Sequence, residues 1–315
     1  MTRASVLIPA HDKPTTLPLT VDTVLRQSVT DLEVIVIGDG VTDAVRDAVS
    51  GLVDADERVR FLDFPKGPHH GERYRHDAVR AAHSDAIFYV CDDDLLLPDH
   101  VADLLALLED HNLVQSFNGY CRPDGSIGFY PGDLSHPRTT ERVLRSRYNV
   151  VSITGTAHRR DFYDLVDDPW DTTPAGEWPD HHQWRKLIGH PEFRGATSER
   201  MTALQFPTSG DGRDTWSAEE RERELRTWHG LVTGPDAQAR IDEMVRRHAL
   251  ATLATLWDER LELWDTRTNL RARVAELAAE LRAERATVRR ASRELDLARR
   301  RLALKNKRLH RLRKR

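Results

Sequence analysis

Three adjacent carboxylates follow a short apolar run and are the chain's clearest candidates for chemistry. Asp92, Asp93 and Asp94 come directly after residues 87–91, a pattern that predicts a buried strand ending in an acidic loop. Adjacent carboxylates repel one another unless a cation relieves the repulsion, and Mg2+ and Mn2+ prefer such oxygen ligands. Because these ions also bridge phosphate oxygens, the pattern predicts a site for a diphosphate. The alternative is an acidic turn in which Asp94 caps the segment that follows.

Two further polar loops follow apolar runs that predict strands. Residues 4–10 end in a loop at 9–13, and residues 32–37 end in a glycine-containing loop at 38–43. Helical patterns alternate with these runs, which predicts an α/β fold with a mostly parallel sheet flanked by helices. Ligands bind beyond the carboxyl ends of such strands, so we expect the three loops to converge on one site. The sequence has neither GxGxxG nor GxxxxGK[ST], the phosphate-binding loops of dinucleotide and P-loop proteins.

The pattern is weaker between residues 110 and 215. A hairpin is predicted across residues 113–130, with its turn at Pro123-Asp124-Gly125. Residues 150–156 predict another strand, and residues 180–188 predict a helix.

The chain's charge is unevenly distributed. Its 315 residues allow one large α/β domain with an appendage, or two domains. Residues 266–315 carry 18 Lys and Arg against 5 Asp and Glu, so their net charge is about +13. The rest of the chain is then about −17, because the total is −4. An acidic body with a basic tail indicates that the tail has its own partner.

Cysteine use and hydropathy indicate a cytoplasmic protein. Cys91 and Cys121 lack the spacing of a metal site or a disulfide framework, as is typical of a reducing compartment. The first apolar run is too short for a signal peptide, and no window approaches 18 apolar residues.

A seven-residue repeat begins at Leu263. One row contains Leu263, Leu270 and Leu277 and then decays to Glu284 and Ala291, while the other row stays apolar from 274 to 309. Sustained heptads predict a coiled coil. We therefore expect three parts: an α/β domain at 1–215, a helical linker at 216–262, and a coiled coil with a basic end at 263–315.

The order of these segments resembles the family 2 glycosyltransferases, which are inverting enzymes of the GT-A fold. Residues 5–14 look like the family's opening strand and nucleotide loop, and residues 25–36 look like the helix end and strand that follow. Residues 38–43 are similar to its Asp-Asp-Gly-Ser-Thr-Asp element, with Gly38 in place of the first aspartate. Residues 88–98 look like its metal-binding strand end.

The resemblance implies a nucleotide site. The loop after the first strand would lie against the nucleobase and ribose, and Asp39 would accept a hydrogen bond from the base, as the matching aspartate does with uracil. Arg75 stands in the place of the arginine in the family's Ala-Arg-Asn and would contact the diphosphate. A Mn2+ or Mg2+ ion would lie nearest Asp93 and Asp94. The nucleotide-binding residues are then Pro9, Ala10, His11, Asp12, Asp39, Arg75, Asp92 and Asp93.

Asp180 falls where the family keeps its catalytic base. A carboxylate can take a proton from an acceptor hydroxyl if it reaches that hydroxyl in a site that tunes its pKa. Capping of the following helix is a compatible alternative, and Glu177 is the fallback base. His182 is a candidate metal ligand, although a helical histidine more often packs or faces solvent. Three tryptophans nearby suit either a sugar ring or the core: Trp170, Trp178 and Trp184.

These observations predict a metal-dependent inverting glycosyltransferase. It would move a sugar from a nucleotide sugar, with a UDP-sugar in first place, to a glycan or lipid-linked acceptor during assembly of a cell-surface polysaccharide. One alternative is a sugar-nucleotide nucleotidyltransferase, although residues 9–13 lack the glycine-rich, arginine-bearing loop that such enzymes use. The other is a non-catalytic coiled-coil scaffold that carries a degenerate transferase domain.

The tail has three interpretations. Leucine heptads favour a homo-oligomer, as a parallel dimer or trimer. The basic cluster at 299–315 also suits peripheral contact with an anionic membrane at its inner face. A helix that packs back on its own domain is the third. Nucleic-acid binding is not predicted, because interleaved aromatics and a binding motif are missing.

Overall fold

The computed structural model describes residues 2–208 and 212–313, with side chains up to residue 307. The chain divides into two compact units, Met1–Ala249 and Leu250–Arg315. The division predicted at residues 215 and 262 stays a prediction. Lys314 and Arg315, the last two residues of the predicted basic cluster, lie outside the described residues.

The first unit contains the strands and most of the helices. The strands are β1 (Ala4–Ala10), β2 (Leu32–Asp39), β3 (Val59–Phe64), β4 (Ala86–Tyr89), β5 (Leu95–Leu96), β6 (Leu113–Gln115), β7 (Gly119–Cys121), β8 (Ile127–Phe129), β9 (Thr156–Arg159), β10 (Gly195–Thr197) and β11 (Ala203–Leu204). The helices are α1 (Leu17–Leu25), α2 (Asp43–Ala55), α3 (Tyr74–Ala81), α4 (His100–Leu108), α5 (Pro137–Arg145), α6 (Arg160–Tyr163), α7 (Pro179–Ile188), α8 (Ala218–Val232) and α9 (Ala237–Arg313).

The main sheet is a mixed sheet in which parallel pairing dominates. In the described residues it has seven strands in the order β10-β6-β9-β4-β1-β2-β3. Strand β9 runs antiparallel to β4 and β6, and the other neighbouring strands run parallel. The predicted α/β fold with a mostly parallel sheet flanked by helices is confirmed.

Both faces of the sheet are covered, because consecutive apolar residues of the central strands point to opposite faces and both sets are buried. In β1, Val6 and Ile8 pack in a core with α1, α2 and α4, whereas Leu7 between them packs in a second core with α3, α5 and α7. Strand β2 alternates in the same way, and all eight of its residues are buried. Continuous apolar runs of this kind are typical of buried parallel strands.

The strand predicted at residues 150–156 was wrong in its position, because β9 starts only at Thr156. Gly155 has a φ of 84°, and Ser152 Oγ donates to the Thr154 carbonyl oxygen at 2.6 Å, so the preceding segment turns. Val150 and Val151 are apolar because they are buried in the second core rather than because they pair in the sheet. The predicted hairpin is smaller than expected, since β7 pairs with β8 while β6 joins the main sheet.

A third core lies beside the main sheet. Strands β5 and β11 pair there antiparallel, and Leu95 and Leu204 pack with Trp228 of α8 and Ile241 of α9. Helix α8 begins with a capping box in which Ser217 and Glu220 satisfy each other's backbone amides. This core fixes the segment after β11 and the first turns of α8 at the edge of the acidic loop. None of the described helices has the length and apolarity that crossing a membrane requires.

Candidate active site

The three predicted loops meet in a cleft of about 780 Å3 at the carboxyl ends of β1, β2 and β4. Helix α3 and the start of α7 close its other sides. Ten of the predicted site residues line it: Pro9, Ala10, His11, Asp12, Asp39, Arg75, Asp92, Asp93, Asp94 and Asp180. The convergence follows from the topology, because the ends of parallel strands meet at one edge of the sheet.

The three carboxylates at the end of β4 are almost completely buried. Asp92, Asp93 and Asp94 are 6%, 7% and 5% exposed. Burial raises the pKa of Asp92, and the Asp93 carboxylate adds to the rise. Burial also raises the pKa of Asp94, again with a contribution from Asp93. The ionised carboxylates of the acidic loop therefore repel one another, and a bound cation would reduce that repulsion.

Lys13 provides one such cation. Its Nζ lies 3.0 Å from Asp92 Oδ1 and 2.8 Å from Asp93 Oδ2. Burial alone would lower the pKa of Lys13, but the two carboxylates outweigh that effect and raise it. Arg221 of α8 approaches Asp93 Oδ2 more distantly, at 3.5 Å. One ammonium group shared by two carboxylates does not neutralise both, so the loop keeps excess negative charge.

The Asp94 carboxylate is held by neutral donors instead. The Thr154 hydroxyl donates to Asp94 Oδ2, and the Phe206 amide donates to Asp94 Oδ1 at 2.8 Å. Thr154 Oγ1 in turn accepts from the Cys91 amide at 2.9 Å. These contacts fix the acidic loop between the turn before β9 and the segment after β11.

The chemistry of these donors fits a divalent cation that is shared with a ligand. In the described part of the chain, no three His, Cys, Asp or Glu side chains are arranged to hold a metal ion. Mg2+, however, commonly binds through one or two carboxylates and completes its coordination with substrate phosphate oxygens and water. Asp93 and Asp94 offer such a pair of carboxylates in the cleft.

Asp39, at the end of β2, lies on the opposite wall of the cleft. Its Oδ1 accepts from the Gly67 amide at 2.7 Å, and its Oδ2 accepts from Lys66 Nζ. Gly71 has a φ of 59°, and a Cβ atom there would lie 2.4 Å from Asp39 Cγ. A glycine is therefore needed at position 71 for two reasons, the backbone conformation and the closeness of the carboxylate.

Arg75 presents an unpaired guanidinium to the cleft. It is 7% exposed, and its Nε and Nη1 atoms have no hydrogen-bond partner in the described residues. The guanidinium lies over the Trp170 ring, 4.9 Å from the ring centre. Burial lowers the pKa of Arg75, opposed only in part by neighbouring groups that include Glu72 and Asp180. A buried cation with unsatisfied N–H groups is costly, and an anionic ligand that accepts from them would reduce that cost.

Asp180 lies in the first turn of α7, where the helix dipole favours a carboxylate. Its Oδ1 accepts from the His181 amide at 2.8 Å, and its Oδ2 accepts from Asn149 Nδ2 at 3.0 Å. Burial nevertheless raises the pKa of Asp180. The carboxylate is therefore oriented, borders the cleft, and is a stronger base than an exposed aspartate.

His182 lies apart from this cleft. Its Nε2 is 3.0 Å from Asp171 Oδ1, and its Nδ1 is 3.2 Å from Glu177 Oε2. Neither His182 nor Glu177 lines the cleft that Asp180 lines. His182 follows Asp180 by two positions, and residues so spaced do not share a helix face.

The tryptophans separate into two kinds. Trp170 and Trp184 are buried in the second core, where Trp170 Nε1 donates to the Tyr89 hydroxyl at 3.0 Å. Trp178 is 56% exposed. Of the two interpretations that the sequence left open, packing in the core is therefore correct for Trp170 and Trp184.

Several residues of the site were not predicted as site residues. Lys13 lies in the loop at 9–13, which was predicted to converge with the acidic loop. As the lysine of that loop, it could have been proposed as a partner for Asp92 and Asp93. Thr154 and Asn149 lie in the segment that was predicted as a strand or just before it, which concealed their roles. Arg221 reaches Asp93 across 128 residues of sequence, and no local pattern indicates this contact.

This chain is similar in sequence to a glycosyltransferase family and to polysaccharide synthases. Residues 5–197 match the model of "Glycosyl transferase family 2". The "Chondroitin synthase" of Pasteurella multocida (strain Pm70) and the "Hyaluronan synthase" of Pasteurella multocida are each 30% identical to this chain over 173 residues. That stretch is 53% of this chain but only 18% of each relative, so the chain spans a small part of their length.

Solved structures give the same fold. The crystal structure of S. aureus TarS 1–349 in complex with UDP-GlcNAc has a TM-score of 0.53 at 14% identity and covers 77% of this chain and 70% of that chain. The crystal structure of S. aureus TarS 1–349 has a TM-score of 0.52 at 15% identity and covers 77% of this chain and 69% of that chain. Because the family model matches more than half of the chain, and because the main sheet and its flanking helices have the GT-A arrangement, the chain belongs to glycosyl transferase family 2.

Proposed function

We propose that this glycosyltransferase moves a sugar with inversion from a UDP-sugar to an acceptor hydroxyl. The observation that carries the proposal is the buried guanidinium of Arg75, whose Nε and Nη1 have no hydrogen-bond partner among the described residues, in the same cleft as Asp39 and Asp180. An anion of the size of a diphosphate would pair with that guanidinium and lie between the acidic loop and the candidate base.

The nucleotide half of the donor would occupy the β1 and β2 side of the cleft. Pro9, Ala10, His11 and Asp12 would lie against the base and ribose, and Asp92 would contact the ribose. Asp39 would accept a hydrogen bond from uracil, in exchange for one of its present contacts with Lys66 and the Gly67 amide. The structure of TarS 1–349 with UDP-GlcNAc supports a uridine donor by analogy of fold.

The leaving diphosphate would be held by Arg75 and by a Mn2+ or Mg2+ ion at Asp93 and Asp94. The ion would offset the negative charge that develops on the leaving group. Lys13 lies close enough to the same carboxylates to take part in this balance of charge.

Asp180 would be the base. Inversion requires attack by the acceptor oxygen from the side opposite the leaving group, and a carboxylate there removes the hydroxyl proton. Asn149 and the His181 amide fix the orientation of the Asp180 carboxylate. The raised pKa of Asp180 makes the ionised carboxylate a better proton acceptor. The carboxylate is ionised only at pH values above that pKa.

The acceptor would be a glycan or a lipid-linked sugar at the cytoplasmic face of a membrane, in the assembly of a surface polysaccharide. The relatives named for chondroitin and hyaluronan synthesis support a polysaccharide acceptor.

The basic residues 299–315 would bring the enzyme to anionic lipid. Cosedimentation with vesicles that contain phosphatidylglycerol, compared with neutral vesicles, tests this contact.

The transfer reaction is tested with Asp180→Asn. We expect this variant to bind UDP as the native protein does and to lose sugar transfer and donor turnover by several orders of magnitude. Asp167→Asn changes an exposed aspartate outside the cleft and is the matched control. A fully active Asp180→Asn variant would exclude Asp180 as the base. A panel of UDP-, GDP- and dTDP-sugars, with and without Mn2+, identifies the donor. Formation of a nucleoside triphosphate and a sugar 1-phosphate when pyrophosphate is added would indicate a nucleotidyltransferase instead.

A further inference from the structure

The part of α9 in the second unit exposes an unusual amount of apolar surface. Fourteen of its described aliphatic side chains are between 46% and 70% exposed, and ten of these recur along one face of the helix. A helix is stabilised mainly by packing of its apolar face. We therefore expect an apolar face of this length to pack against another surface. The ten residues are Leu253, Leu256, Leu263, Leu270, Val274, Leu277, Leu281, Val288, Leu295 and Leu302.

These side chains form one seam. From Leu270 to Leu281 their spacing alternates between four and three residues, which is the a/d pattern of a coiled coil. Leucine occupies the d row at Leu256, Leu263, Leu270 and Leu277, and the a row is apolar at every position from Val274 to Leu302. Two of the five apolar a positions, Val274 and Val288, are β-branched, and valine at a with leucine at d favours two strands over three or four. We propose that this seam pairs with the same seam of a second copy as a parallel, in-register, two-stranded coiled coil.

The charges beside the seam determine the direction of the partner. In a parallel, in-register pair, each g residue faces the e residue five positions later in the second copy. Glu280 at g then faces Arg285, and Glu294 at g faces Arg299, so both contacts pair opposite charges. An antiparallel pair would bring the e rows together, and these contain Arg271, Arg285 and Arg299 without an acidic residue.

The seam is strongest between residues 270 and 281. Before it, the a positions are Arg260 and Arg267, whose guanidinium groups lie over Trp257 and Trp264 of the same chain, at 5.5 Å and 4.7 Å from the ring centres. After it, the d row changes to Glu284 and small alanines while the a row stays apolar. Substitutions at 274 and 281 therefore remove the centre of the interface.

Sedimentation equilibrium of the full chain measures the assembly. We expect a mass of twice 36.0 kDa for the native protein and a monomer for the double variant Val274→Asp, Leu281→Asp. The double variant Ala279→Asp, Ala286→Asp places the same two charges seven residues apart on the exposed outer face and should remain a dimer. Circular dichroism and UDP binding check that each variant is folded. A native monomer or trimer, or a dimeric Val274→Asp, Leu281→Asp variant that passes these checks, would overturn the proposal.

Cross-linking tests the direction and register. Two Val274 positions adjoin in a parallel, in-register pair, so Val274→Cys should form a covalent dimer on mild oxidation, whereas the native chain with Cys91 and Cys121 should not. Failure of dimeric Val274→Cys to cross-link would exclude the proposed register.

Discussion

Asn149 Nδ2 donates a hydrogen bond of 3.0 Å to Asp180 Oδ2, and so orients a carboxylate that borders the cleft. The same asparagine accepts from the Val151 amide at 3.0 Å through its Oδ1. It therefore connects the turn before β9 to the first turn of α7. This contact stabilises the ionised form of Asp180 against the burial that raises its pKa.

Asn149→Ala should lower sugar transfer and move its pH dependence. Loss of a hydrogen bond to a charged group costs about 1.5–3 kcal/mol, which corresponds to roughly ten-fold or more in kcat/KM. The base acts when deprotonated, so transfer is present above the pKa of Asp180 and is lost as the pH falls through it. Because the variant raises that pKa further, the acidic limb of the kcat/KM profile should move to higher pH.

Asn149→Asp is the companion variant for this test. Its carboxylate keeps an acceptor for the Val151 amide but places a second negative charge beside Asp180, so the acidic limb should move further than in Asn149→Ala. An acidic limb that is unchanged in both variants would show that Asn149 does not act through Asp180.

Lys13→Met should make the protein less stable and more responsive to metal. Removing the shared ammonium leaves Asp92 and Asp93 buried with less compensation, at a cost of about 1–3 kcal/mol. A Mn2+ ion would then meet less competition for the same oxygens. We expect a lower Tm without metal and a larger rise in Tm on addition of Mn2+ alone than in the native protein.

Lys66→Met is the control for the metal effect, because Lys66 pairs with Asp39 on the other wall of the cleft. Its rise in Tm with Mn2+ alone should equal that of the native protein. If Lys13→Met also responds to Mn2+ as the native protein does, Lys13 and the ion do not share the acidic loop.

Gly71→Ala should weaken UDP binding through Asp39. The new methyl group would lie 2.4 Å from Asp39 Cγ and displace the carboxylate, and the positive φ of 59° adds strain of about 1–2 kcal/mol. Gly125→Ala, in the β7–β8 hairpin, has a φ of 81° and no atom within 4 Å of the new Cβ. Both variants should lose stability, and calorimetry should find UDP binding weakened only in Gly71→Ala. Equal UDP affinity in the two variants would contradict a role for Asp39 in binding.

The convergence of the site was predictable because it depends on strand ends. The apolar runs before Asp39 and Asp92 indicate buried parallel strands, and the geometry of such a sheet brings their ends together whatever their separation in sequence. Asp180 could be placed only through the family resemblance, because nothing in its local sequence distinguishes a base from a helix cap.

The partners of these residues were not predictable, because they depend on side-chain contacts between distant elements. Lys13, Asn149, Thr154 and Arg221 reach the carboxylates from three separate segments, because Asn149 and Thr154 share the turn before β9. Residues 150–156 were predicted as a strand because buried apolar residues in a turn give the same local pattern as a strand.

The affinity for UDP, measured by calorimetry with Mn2+ present, tests the central proposal that this cleft binds the diphosphate of the donor. Arg75→Met keeps an unbranched apolar side chain at this position and removes the guanidinium that lies over Trp170. We predict that UDP binds the native protein and that Arg75→Met weakens it roughly 10- to 100-fold, the equivalent of one or two charge-assisted hydrogen bonds, while weak binding of uridine is unchanged. Equal UDP affinity in the native and Arg75→Met proteins, or no UDP binding by the native protein, would contradict it.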